Sequence, residues 1–153
     1  MKPNNLYLSV YPPVVNSNPS VSKKTCLLGR SFSEEDTKLL IKNCKANKCT
    51  VHGAITASTH QAIARILRTK KHDLHTPVCI DSIYTVSLRK DCQPKVETFE
   101  FGAYVTASAL SILVPLAYPD DKVGFWEFAR TCTREVRSLS YNVLQQVHVQ
   151  FNF

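Results

Sequence analysis

Hydrophobic and polar positions alternate along this chain with two different periods. Thr25 to Phe32 reads as a strand, and Ser33 then caps a helix whose first turn carries Glu34, Glu35 and Asp36. Leu40, Ile41 and Cys44 share one face of that helix, and Lys45 and Lys48 sit at its C-terminal end, where the macrodipole favours cations. Thr50 caps a second helix running to about Arg68. Val51, Ala54, Ile55, Ser58, Ala62, Ile63, Ile66 and Leu67 recur near the helical period, so they form its expected buried stripe. Small residues in its first turns (Gly53, Ala54, Ala57, Ser58) allow a close approach to a neighbour.

After Thr76-Pro77 the period changes to two. Val78, Ile80, Tyr84, Val86 and Leu88 alternate with Asp81, Thr85, Ser87 and Arg89, which predicts a long strand. A turn region over 91–95 and a segment from Phe99 to Thr106 containing Gly102 lead to a second apolar strand, Ser108 to Leu116. Pro119-Asp120-Asp121 turns the chain into a third helix, where Phe125, Ala129, Cys132, Val136, Leu139 and Val143 recur by threes and fours. Val147, Val149, Phe151 and Phe153 alternate, as at the start of another strand or a fraying end. The expected class is α/β in the broad α+β sense, a mixed sheet with helices packed on one face. Residues 1–22, punctuated by Pro3, Pro12, Pro13 and Pro19, read as a tail or linker in which Leu6 to Tyr11 could form an extended edge segment. Residues 23–146 form the folded unit, and 147–153 an end of unassigned structure.

Composition narrows the functional classes. With 153 residues, 44% hydrophobic and 20% charged, the chain is globular in character. Its longest apolar run, Ala107 to Ala117, is broken by Ser108, Ser111 and Pro115, short of the roughly 18 residues of a membrane span. No hydrophobic signal core opens the chain, which points to a cytoplasmic protein. The six cysteines include no Cys-x-x-Cys pair, and they read as reduced thiols, several of them small core residues. The net charge of +7 is met by a plain solvated basic surface, and it also permits nucleic-acid binding or another anionic ligand. However, no aromatic residues interleave the basic cluster Arg65, Arg68, Lys70 and Lys71. That argues against nucleic acid and leaves a solvated helix end or an anionic-ligand contact.

Catalytic signatures are absent: no phosphate-binding loop, no dinucleotide fingerprint, no nucleophile elbow and no His-Glu-x-x-His. His72 and His75 flank Asp73 but lack a rigid third ligand, so no metal site is expected. His60 falls opposite the expected apolar stripe and reads as solvated. His52, in the first turn of the second helix, reads as a packing or partly exposed residue, and His148 lies in the unassigned end. Arg89, at the end of the long strand, reads as a structural anchor needing a carboxylate or several carbonyls, or else as a contact to a charged ligand. Phe125, Trp126 and Phe128 suit a core or an interface between lobes.

Four stretches in order resemble the condensation-domain and alcohol O-acetyltransferase superfamily over roughly residues 24–142. They are residues 39–57, with Cys44 closing one helix and Thr50-Val51 opening a small-residue helix; Val86-Ser87-Leu88-Arg89; Phe101-Gly102-Ala103-Tyr104-Val105-Thr106; and Phe125-Trp126-Glu127-Phe128-Ala129-Arg130. The resemblance implies one lobe of a two-lobed fold like that of chloramphenicol acetyltransferase. It also implies acyl transfer from a coenzyme A or carrier thioester, as co-substrate rather than bound cofactor, to the hydroxyl or amine of a small-molecule acceptor. It makes Arg89 a structural residue and sets Tyr104, Val105 and Thr106 near the tunnel between lobes. The family's general base is the histidine of a His-x-x-x-Asp motif, and here none of the five histidines has an aspartate four residues on. The expectation is therefore a lobe without catalytic residues of its own, a fragment or natural truncation that needs a missing N-terminal lobe or a second chain. The competing expectation is a non-catalytic binding or scaffold protein that reuses this lobe and exposes an apolar patch for its partner.

Overall fold

The computed structural model describes residues 27–71, 78–92, 94–115 and 122–151. The expected tail over 1–22 with its Leu6–Tyr11 segment, and Cys26, His72, His75 and the Pro119–Asp121 turn, lie outside the described residues. Helix α1 spans Glu34–Ala46 and α2 spans Val51–Lys71; strands β1, Val78–Ser87, and β2, Val105–Val114, follow, and α3 spans Lys122–Phe151. The class is α+β. Among the described residues the sheet is antiparallel and two-stranded rather than mixed, pairing Val78 with Val114 at one end and Ser87 with Val105 at the other.

The expected strand at Thr25–Phe32 does not form over its described part. Residues 27–33 have no regular structure, and Leu27 is 94% exposed. Among the described residues no strand pairs with this segment, and a strand without a partner leaves its backbone groups to water. The alternation after Gln146 gives no strand either, because α3 continues to Phe151. Val143, Val147 and Phe151 are also four apart, so the same residues satisfy the helical period, and extending an existing helix is cheaper than nucleating a strand.

Local chemistry sets the helix ends. The Ser33 Oγ accepts from the Asp36 N–H at 3.0 Å, and the Thr50 Oγ1 accepts from the Gly53 N–H at 3.0 Å. Helix α1 ends in a Schellman arrangement: Lys48 N–H donates to Lys45 O at 3.1 Å and Cys49 N–H to Cys44 O at 3.0 Å. Lys48 takes the left-handed position, φ 55°, that glycine usually fills there.

The core lies between the sheet and the α2–α3 pair. Ala57, Ala64 and Leu67 of α2 join Phe128, Ala129 and Cys132 of α3 with Val78, Ile80, Ile112 and Val114 of the strands; Phe125 and Trp126 pack at its margin. Helices α2 and α3 meet closely at Gly53. A Cβ there would overlap the Thr133 hydroxyl and come 2.9 Å from the Ala129 carbonyl oxygen. The Thr133 hydroxyl donates to Ala129 O at 2.9 Å and accepts from the Thr50 N–H at 3.2 Å, which joins the N-terminus of α2 to the middle of α3.

This contact turns α2 away from its expected register. The residues that face inward are Gly53, Ala54, Thr56, Ala57, His60, Ala64 and Leu67, while Ile55 and Ile66 are each 51% exposed. Arg68 is likewise not a solvated helix end. It is half-buried, and its Nη2 donates to Val114 O and Pro115 O, both at 3.2 Å, tying α2 to the end of β2.

Two stability measurements follow. Gly53→Ala adds about 1 kcal/mol of helix propensity, yet the methyl group must displace α3, and we expect a net loss of about 1–2 kcal/mol in urea unfolding. Lys48→Gly relieves the left-handed conformation, and the same experiment should show a gain of up to about 1 kcal/mol.

Candidate functional site

His52, Thr56 and His60 follow one another at intervals of four along α2 and so lie on one line of that helix. Beside them on β1 are Tyr84 and Ser82, two residues apart and therefore on one side of the strand. This is the side that carries Val78, Ile80 and Val86 into the core. Across the ladder Ser82 pairs with Leu110 and Tyr84 with Ser108, so polar groups collect on part of an otherwise apolar seam.

His60 is 2% exposed, which corrects its reading as a solvated residue. Its Nδ1 lies 2.8 Å from Thr56 O. A carbonyl oxygen can only accept, so Nδ1 carries the proton. The other nitrogen, Nε2, is then a free acceptor, and the Ser82 hydroxyl donates to it at 3.1 Å. Both ring nitrogens are satisfied in the neutral imidazole. Burial lowers the His60 pKa below the usual 6.5, and the Thr56 backbone bond opposes that shift only in part. His52 is exposed, with its ring centroid 5.7 Å from that of Tyr84.

Ser82 is half-buried. A hydroxyl hydrogen-bonded to an imidazole whose far nitrogen is held by a fixed acceptor is the arrangement that activates a serine. Here the fixed acceptor is a carbonyl rather than a carboxylate. It sets the tautomer and the ring orientation without adding a negative charge to stabilise an imidazolium. Sequence reading missed the pair because it placed the apolar stripe of α2 on the isoleucines. The signal that points inward is the spacing Gly53, Ala57, His60, Ala64, Leu67, by fours and threes.

Arg89 lies in the turn just after β1. Its Nη2 donates to Glu100 O at 2.8 Å and its Nη1 to Glu97 O at 3.3 Å, and the guanidinium sits 5.0 Å over the Tyr104 ring. These contacts hold the connection between the strands, whose base is closed by the Leu88 N–H donating to Tyr104 O at 2.8 Å. Arg89 thus engages the inter-strand connection rather than His60 or Ser82. Thr106 pairs with Val86 on the helix-facing side of the sheet, whereas Val105 pairs with Ser87 on the outer side and is 56% exposed.

The five described cysteines are free, with Cys44 and Cys132 buried. Burial pushes the Cys132 thiol up to about 12 and, with Cys44 adding to the effect, Cys49 up to about 11, so both remain protonated and unreactive. Among the described residues no three His, Cys, Asp or Glu side chains gather into a metal-binding group, and no helix is long and apolar enough to cross a membrane.

Comparison with family models, with curated proteins and with solved structures finds no match to this chain.

The buried imidazole has a consequence for stability. The unfolded chain takes up a proton at His60 before the folded one does, so the stabilisation is fully present above the unfolded value of about 6.5 and is lost as pH falls through the folded one. Urea midpoints measured from about pH 7.5 down to about pH 5 should fall more steeply for the wild type than for His60→Gln, which carries no titrating group. Equal slopes would show that His60 does not titrate in this window.

Proposed function

We propose that this chain is one lobe of an acyltransferase of the condensation-domain and alcohol O-acetyltransferase superfamily, and that it transfers acyl groups only when joined to a second lobe. That second lobe, from a longer product or another chain, supplies the histidine base. The chemistry is acyl transfer from a coenzyme A or carrier thioester to the hydroxyl or amine of a small molecule.

The side of the sheet that no described element covers supports this reading. Helices cover one face of β1–β2; the other presents Ile83 at 78%, Leu113 at 60% and Val105 at 56% exposure, with Ala107 and Ala109 between them. Ile83 pairs with Ala109 and Thr85 with Ala107, so these side chains form one continuous surface crossed by the Ser111–Asp81 hydrogen bond. Such a surface suits burial against a second structural layer. The resemblance of the four ordered sequence motifs is what suggests a second lobe as that layer, and a His-x-x-x-Asp histidine as its contribution.

The test is alcohol-dependent thiol release from acetyl-coenzyme A. The chain alone should give none above the rate without alcohol. Fused behind a lobe that carries His-x-x-x-Asp, it should gain that activity, and Leu113→Lys on the sheet surface should remove the gain. Alcohol-dependent release by the chain alone, or none from the fusion, would overturn the reading. The second of these results would favour a binding module that uses the same sheet surface.

A further inference from the structure

We propose that Ser82 is a nucleophile that accepts an acyl group from small activated esters, with His60 as its general base. Three features of one geometry carry the inference. The Ser82 hydroxyl donates to His60 Nε2 at 3.1 Å, so the proton that must leave already points at its acceptor. The Nδ1 bond to Thr56 O, at 2.8 Å within the same helix, fixes the ring and leaves Nε2 as the basic nitrogen. His60 is buried while Ser82 is only half-buried, so the base is shielded from water and the nucleophile is not fully enclosed.

The step balances without any further reagent. As the Ser82 Oγ attacks the carbonyl carbon, its proton passes to His60 Nε2. The tetrahedral intermediate then collapses; the Oγ–carbon bond remains, and the bond from carbon to the leaving oxygen breaks. The leaving group departs with the electron pair, and the proton on Nε2 is given to it or to solvent. The product is an acyl-serine ester with neutral His60 restored. Ser82 is only half-exposed, with Leu110 opposite on β2 and Tyr84 two residues along on β1, so small acyl groups are the ones proposed. With a carbonyl rather than a carboxylate behind the imidazole, activation falls short of that of a full triad.

This inference does not rest on the lobe reading. Acylation of Ser82 needs neither an alcohol nor a second lobe, so a failure of one leaves the other standing.

The experiment treats the full chain with p-nitrophenyl acetate, follows p-nitrophenolate release, and locates the acetyl group by peptide mass mapping. Ser82 should carry one acetyl group, formed in a burst. Ser82→Ala should lose both the burst and the label, and His60→Gln should slow labelling of Ser82 about a hundredfold, the usual scale of a general base. Thermal unfolding of each variant establishes that it is folded before its rate is compared; should His60→Gln fail to fold, the Ser82→Ala comparison and the label position decide alone. Acetyl groups confined to lysines, cysteines or other serines, or an unchanged burst in Ser82→Ala, would overturn the proposal.

Discussion

The close approach of α2 to α3 at Gly53 is the constraint on which the remaining packing depends. The Thr133 hydroxyl fills the space that a side chain at position 53 would take, and it bonds to the Ala129 carbonyl and the Thr50 amide. Once that contact forms, the rotation of α2 about its axis is set. Ala57, Ala64 and Leu67 then face the core with Phe128 and Cys132, and Arg68 reaches the carbonyls that end β2. Dispersion between surfaces this close accumulates over many atoms, and small side chains are what permit it.

The same contact explains which parts of the fold are legible in the sequence. The helix starts at Ser33 and Thr50 are readable because a cap is a local bond between a hydroxyl and an amide three residues on. The face of α3 is readable because Ala129, Cys132 and Val143 are all buried where the period puts them. The face of α2 is not, because reading it from hydrophobicity gives weight to Ile55 and Ile66, while the actual seam uses Gly53 and Ala57. Side-chain size, which governs how near two helices come, opposes side-chain hydrophobicity along this helix. The strand expected before Ser33 fails for another reason: alternation describes a residue's fitness for a sheet, and pairing needs a partner that the segment does not find among the described residues.

The sequence puts Arg89, a cation, at the end of an apolar strand, which asks for a carboxylate, several carbonyls or a charged ligand without choosing among them. Which carbonyls it meets, those of Glu97 and Glu100, depends on a connection that pattern does not describe. His60 was not readable, since its placement follows from the rotation of α2 rather than from its neighbours in sequence. The composition of the outer sheet surface follows from strand register: Ile83, Val105 and Leu113 fall on the side that the described helices do not reach.

A buried histidine hydrogen-bonded to a serine at the edge of a largely apolar core calls for a physical account. A buried polar group without a partner costs about 1–3 kcal/mol, and the neutral pair avoids that cost. Neutral His60 donates to Thr56 O and accepts from Ser82, so nothing is left unpaired. Protonated His60 would still find an acceptor in the Ser82 Oγ, but its charge would be buried, and burial is what lowers its pKa. The fold therefore selects the imidazole that can take a proton and holds it against the hydroxyl that can give one. A leucine and an alanine at these positions would fill the seam at less risk to stability, and the acylation proposed for Ser82 is a role that such a pair would not serve.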